Sequence, residues 1–212
     1  TVAVLGVEKW SDLVRADAEA MITQELDYDY ESIPGHTSTS QAALIQQRYL
    51  HEHDLEQNAL SGFALLAHAN AVHNPFAFYR NPLTEEGYAR AGMLSDPITI
   101  FDGATYADGA AALVLTRREL LPRGYAHPVI SVMGSGASSD ALSWHDRTEP
   151  MSFTAAVRAI DRAVQQAGLS KEQIDLFELD DAFSIYAALT LEGVGLADKG
   201  AAWKMARDGE YN

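Results

Sequence analysis

Thr1-Val2-Ala3-Val4-Leu5-Gly6-Val7 is a β-branched, apolar run with no polar alternation, the pattern of a strand covered on both faces. A second such run, Ala107-Asp108-Gly109-Ala110-Ala111-Ala112-Leu113-Val114-Leu115-Thr116, is a small-residue turn leading into a buried strand. The long stretch between them alternates helical and irregular patterns. We therefore expect both strands in one half-sheet, with a helical and loop excursion over about residues 22–95 inserted between them.

Within that excursion and just before it, residues 8–20 read as a helix with Ser11 or Asp12 available as cap. Asp27-Tyr28-Asp29-Tyr30-Glu31 and Pro34-Gly35 break any regular period, and a solvated loop is favoured over the rim of a pocket for a bulky acyl chain. Ser38 with Gln41 has the form of a capping box before a helix over 42–53, and Leu55, Ala59, Phe63 and Leu66 recur at helical spacing. Leu121-Pro122-Arg123-Gly124 is the best linker, so a boundary is placed between residues 1–120 and 121–212. Beyond it, 128–134 and 174–179 read as strands. Residues 153–166 form an amphipathic helix ending at Gly168, and Asp181 precedes a helix carrying Phe183, Tyr186 and Leu189. Short connections between these elements favour a layered α/β architecture.

The formal net charge of −15, with no basic run longer than Arg117-Arg118, argues against nucleic acid as a partner. No stretch approaches the roughly 20 apolar residues of a membrane span, so a protein free of the membrane is expected. With no cysteine, a disulfide framework, a thiolate metal site and a cysteine nucleophile are all excluded within these residues. His51-Glu52-His53-Asp54 superficially suggests a metal site, but residues i and i+2 of a helix point apart, so solvated surface is favoured and no metal is expected. Gly134-Ser135-Gly136-Ala137-Ser138-Ser139 is too short for a phosphate-binding pattern and reads as a turn at a sheet edge. Asp180-Asp181 could be a paired-carboxylate acid/base site; the plainer reading caps the helix with Asp181 and ends a strand at Asp180.

Five segments in order carry a resemblance: residues 4–12 (Val4-Leu5-Gly6-Val7-Glu8-Lys9-Trp10-Ser11-Asp12), His73-Asn74-Pro75-Phe76-Ala77, Asp96-Pro97-Ile98-Thr99-Ile100-Phe101-Asp102, Ala107-Asp108-Gly109-Ala110-Ala111-Ala112 and Glu178-Leu179-Asp180-Asp181-Ala182-Phe183-Ser184. Together the chain resembles the thiolase superfamily, particularly its sterol-carrier-protein type. The resemblance implies an incomplete five-layered α-β-α-β-α fold and the handling of acyl-CoA thioesters by Claisen chemistry, as an acyltransferase. It further implies that the nucleophilic cysteine lies upstream of residues 4–12 and a Gly-His-Pro motif downstream of residue 212. The chain is accordingly expected to be an internal, partly represented or truncated segment.

In that family the residue at Asp180 is usually asparagine or histidine and helps build an oxyanion hole; an ionised aspartate accepts but cannot donate. The resemblance places His68, Asn70, His73 and Asn74 near the coenzyme A channel and Phe183 at the substrate. It puts Trp144-His145-Asp146-Arg147 near the subunit or substrate side. Coenzyme A would be a substrate and no other cofactor is implied. A cytoplasmic homodimer or larger assembly is the expectation. Two other readings remain: a thiolase-fold aldolase cleaving a β-hydroxyacyl-CoA, such as a steroid side-chain thioester, with tyrosine acid/base groups and an OB-fold partner protein, and a non-catalytic acyl-CoA-binding scaffold.

Overall fold

The computed structural model describes residues 1–211. In chain order its main elements are β1 (Val2–Glu8), α1 (Arg15–Ile22), α2 (Ser38–Glu52), α3 (Ser61–Ala71), α4 (Glu85–Ala89), β2 (Met93–Ser95), β3 (Ile98–Thr99), β4 (Gly109–Leu115), α5 (Thr154–Ala167), α6 (Ser184–Gly193) and α7 (Ala202–Asp208).

β1 and β4 pair antiparallel from Val2↔Leu115 to Glu8↔Gly109, so the two apolar runs do share one sheet around a helical excursion. The end of this ribbon is tied down locally. Ser11 donates from its backbone N–H (2.9 Å) and its hydroxyl (2.5 Å) to the Asp108 carboxylate, and Trp10 stacks on Tyr106 with ring centroids 4.6 Å apart. The expected burial on both faces is not observed: Leu5 is 78% exposed and Val7 80%. Ladder hydrogen bonds satisfy the facing edges only, and among the described residues no element lies across either face.

The core is helical instead. Ala42, Ile45, Tyr49, Leu60, Ile185, Ala188 and Ala202 form one buried cluster with Ile98 of the short β2–β3 hairpin. Alanine is the commonest residue in it, and such small side chains let helices approach closely. Gly62 takes this further: a Cβ there would lie 2.7 Å from the backbone nitrogen of Arg207, so α3 and α7 touch backbone to backbone. Three helices also share a polar node, in which Tyr49 Oη donates to Glu192 Oε1 (2.5 Å), which accepts the Ala202 N–H (3.2 Å). Burial first, then the Glu192 contact, hold the Tyr49 phenol far above its ordinary pKa.

Several local expectations shift. The helix read over 8–20 is a 3-10 turn followed by the shorter α1, because Ser11 is taken by Asp108 rather than capping. The capping box of α2 is Thr37 with Ser40, one residue earlier than Ser38 with Gln41: the Thr37 side chain accepts the Ser40 N–H and the Ser40 side chain the Thr37 N–H. Residues 28–32 close a π-helical turn started by Asp27, whose side chain accepts the Tyr30 N–H. α5 ends as expected on Gly168, at φ +68° in the left-handed region. The segments 128–134 and 174–179 form no ladder among the described residues.

The sheet-edge turn expected at 134–139 is instead an extended segment laid flat on α5. A Cβ at Gly134 or Gly136 would sit 2.0 Å from the carbonyl oxygen of Ala163 or Ala159. The Ser135 N–H donates to Gln166 and Arg162 donates to the Ala137 carbonyl, completing the seam.

Candidate active site

A strap of residues 180–184 divides two clefts, and its position is set by backbone pairing. The Ala104 N–H donates to the Ala182 carbonyl (2.9 Å), the Ser184 N–H to the Asp102 carbonyl (2.8 Å), and Gly103 bridges Phe183 antiparallel. The opposing segment is itself fixed by the Asp102 carboxylate. Buried, it accepts Tyr88 Oη (2.8 and 2.9 Å), the Thr99 N–H (2.9 Å) and the Thr99 hydroxyl (2.8 Å). Burial and the Asp102 charge hold the Tyr88 phenol protonated far beyond its usual range, so the donor never leaves.

Successive carboxylates on the strap face opposite sides. Asp180 lines one cleft, of about 810 Å³, with Phe183, Tyr186, Trp144, Arg147 and Phe153. Asp181 lines the other, of about 610 Å³, with His68, Asn70, Tyr79 and Phe101.

The expected helix cap is not made. α6 begins after Phe183 with no side-chain cap; Asp180 takes the turn, its Oδ1 accepting the Ala182 N–H at 3.0 Å. An aspartate two residues before a free N–H closes such a turn more readily than Asp181, which lines the second cleft. Loss of solvent in that cleft, and then the Asp180 charge, raise the Asp181 carboxyl. The pair thus interacts through charge while serving different spaces.

The Asp180 cleft has an aromatic wall of edge-to-face contacts: Phe183–Tyr186 at 5.2 Å, Tyr186–Phe153 at 5.3 Å and Phe153–Trp144 at 6.4 Å between centroids. Arg147 lies 4.4 Å over the Trp144 ring. Burial, followed by the Asp180 charge and opposed by Arg147, pushes the Tyr186 phenol up to about 12, so it stays a hydrogen-bond donor at neutral pH. Sequence reasoning read Tyr186 only as part of an apolar helix face; its three-residue spacing from Phe183 was the available signal. Trp144 is anchored through its backbone N–H, which donates to Glu31 Oε1 at 3.0 Å. Glu31 is buried and also accepts the Asp27 N–H, so the aromatic-acidic loop is docked at this point while Tyr28 and Tyr30 stay open.

The remaining site expectations separate. His68 and Asn70 lie in the Asp181 cleft, away from Asp180 and Phe183. His68 Nδ1 is 3.1 Å from the Asn81 carbonyl, which can only accept, so Nδ1 is the donor in this contact and, in the neutral imidazole, Nε2 is the acceptor. His73 and Asn74 line neither cleft. They close the turns after α3, and Asn74 Oδ1 accepts the Phe76 N–H at 2.9 Å. No group of three His, Cys, Asp or Glu side chains converges to hold a metal ion among the described residues.

This arrangement of helices, ribbon and strap is a thiolase-type α/β fold. It superposes on the solved Ltp2-ChsH2(DUF35) aldolase with a TM-score of 0.82 over 98% of this chain and 55% of that one, at 23% identity. Residues 136–212 match the family described as thiolase C-terminal domain-like. The chain is 31% identical over 208 residues to an acetyl-CoA acetyltransferase of Methanothermobacter thermautotrophicus, covering 98% of this chain and 54% of that protein. It is 27% identical over 180 residues to the 17-hydroxy-3-oxo-4-pregnene-20-carboxyl-CoA lyase of Mycobacterium tuberculosis, covering 82% and 46%. The chain is similar to thiolase-superfamily proteins over most of its length and spans about half the length of these curated relatives.

Proposed function

We propose that the Asp180 cleft receives the acyl part of a coenzyme A thioester and takes part in carbon–carbon bond chemistry of the thiolase type. The observation that carries this reading is the pairing, on one aromatic-walled cleft, of a carboxylate with a phenol held protonated. An aromatic wall suits a bulky acyl group, and Tyr186 can donate to a thioester oxygen as charge builds on it. In the acyltransferase form, the whole protein supplies a cysteine nucleophile and a histidine from outside these residues.

A second reading, retro-aldol cleavage of a β-hydroxyacyl-CoA, is favoured by Asp180 itself. A carboxylate there can take the β-hydroxyl proton. The bond between the α- and β-carbons breaks, its electrons pass to the thioester enolate, and a proton donor such as Tyr186 returns a proton to the α-carbon. A carbonyl compound and a shortened acyl-CoA result. Coenzyme A is substrate in both readings. The same proposal carries a homodimer, a cytoplasmic setting, a seam at residues 121–124 and, for the aldolase form, an OB-fold partner. No described helix is long and apolar enough to cross a membrane.

Asp180→Asn in the full-length protein tests the readings together. An oxyanion contact is worth about 2.7–4 kcal/mol of barrier, so replacing the repelling carboxylate with a donor raises thiolysis or Claisen condensation, while an aldolase loses its base and slows. No change in either reaction removes Asp180 from the chemistry.

A further inference from the structure

We propose that the Asp181 cleft is a second ligand site, for a small organic cation: an ammonium group on an apolar body. The proposal does not rest on which reaction the other cleft supports. The cleft, of about 610 Å³, is of the size of small-molecule pockets. Three features of its lining select the charge of the occupant.

First, Asp181 is the carboxylate available in it. The other acid in the wall, Asp102, is buried and saturated by Tyr88 and Thr99. Among the described residues no lysine or arginine lines the cleft or pairs with Asp181, and the neighbouring Asp180 adds negative potential. Second, Phe63, Phe78, Tyr79 and Phe101 bring four rings to the same space. Phe78 and Tyr79, edge to face at 4.8 Å, stand open to solvent. Ring faces attract cations and do nothing for anions. Third, His68 has its Nδ1 proton committed to Asn81, so in the neutral imidazole the nitrogen left for a ligand is an acceptor. A carboxylate, an acceptor nitrogen and aromatic faces without a fixed counter-cation complement an ammonium and repel a phosphate or carboxylate.

The strap gives this site a route to the other. Asp181 and Asp180 are adjacent, and the backbone between them is clamped to 102–104, so a cation at Asp181 lowers the negative potential felt at Asp180.

The test is calorimetric titration of the purified full-length protein with 2-phenylethylammonium, against 2-phenylethanol and phenylacetate as neutral and anionic counterparts of similar shape. The ammonium is expected to bind about tenfold or more tightly than the alcohol, and phenylacetate more weakly than both. Asp181→Asn should erase the preference for the ammonium while leaving the thermal melting curve in place. As a check that needs no variant, wild-type affinity for the ammonium should fall as pH drops through the raised Asp181 pKa. Asp102 and His68 face the same space and Asp180 is the next residue along the strap, so the fall at Asp181 is the part that Asp181→Asn abolishes. Equal binding of ammonium and alcohol, undiminished preference in Asp181→Asn, or no binding of the ammonium at about 10 mM each overturns the proposal.

Discussion

The helical core and the β1–β4 ribbon both carry large apolar side chains and end in opposite environments. Ile185, Leu60 and Ala188 are fully buried, whereas Leu113 is 62% and Val114 72% exposed. The helices find their partners inside the chain: α2, α3, α6 and α7 each present a stripe that a neighbour covers. The ribbon finds a partner for its backbone and none, among the described residues, for its side chains. Apolar composition therefore predicts that a segment can be covered, while coverage itself depends on a second surface that composition does not name.

The contrast is tested most strongly by truncation in the core. Ile185→Ala should cost about 2–5 kcal/mol in urea unfolding, the cost of a cavity where nothing can collapse inward. A loss under about 0.5 kcal/mol would mean that α6 is not the centre of the fold. Next come the two glycines seated on α5. Gly134→Ala and Gly136→Ala should each cost about 1–3 kcal/mol, since an added methyl meets a carbonyl oxygen rather than a yielding side chain.

The core also holds a flaw that can be removed. Gln46 is fully buried with neither amide atom hydrogen-bonded, and Gln46→Met, of similar volume, should stabilise by about 1 kcal/mol. Alkaline melting probes the Asp180 cleft. The Tyr186 phenol has its pKa raised by folding, so its contribution is complete below pH 10 and is lost as pH rises towards about 12. Tyr186→Phe should flatten that part of the curve relative to wild type, and an unchanged slope would show the phenol to be solvated. The smallest effect belongs to the ribbon: Leu113→Ala should change stability by less than about 0.5 kcal/mol.

Much of the frame was legible because it depended on local patterns. Two runs without polar alternation indicated strands in one sheet, and Gly168 marked the end of α5, each from signals a few residues long. Thr37–Ser40 and Ser38–Gln41 fit the same capping pattern, and only the geometry of the preceding turn chooses between them. The segments 128–134 and 174–179 have the apolar extension of strands, yet strand pairing is a property of two segments. The site was half legible for a related reason. Asp180, Phe183, His68 and Asn70 do line clefts, but which cleft depends on the pairing of 102–104 with 182–184 across some eighty residues of sequence. Tyr186 and Asp181 exchanged importance in the same step: the tyrosine lines the Asp180 cleft, and the expected cap lines the other cleft without capping its helix.

The seam between 134–136 and α5 has a meaning for anyone sampling variants of this protein. At most positions a library returns a spectrum of tolerated residues, graded by size or polarity. At Gly134 and Gly136 every alternative begins with the same Cβ, and that atom already overlaps a main-chain oxygen of the helix, so the character of the rest of the side chain is irrelevant. A saturation library read out by soluble yield should therefore collapse to a single letter at these two sites, while Ser135 between them, 'facing' outward from the helix with only its N–H engaged, accepts a broad alphabet.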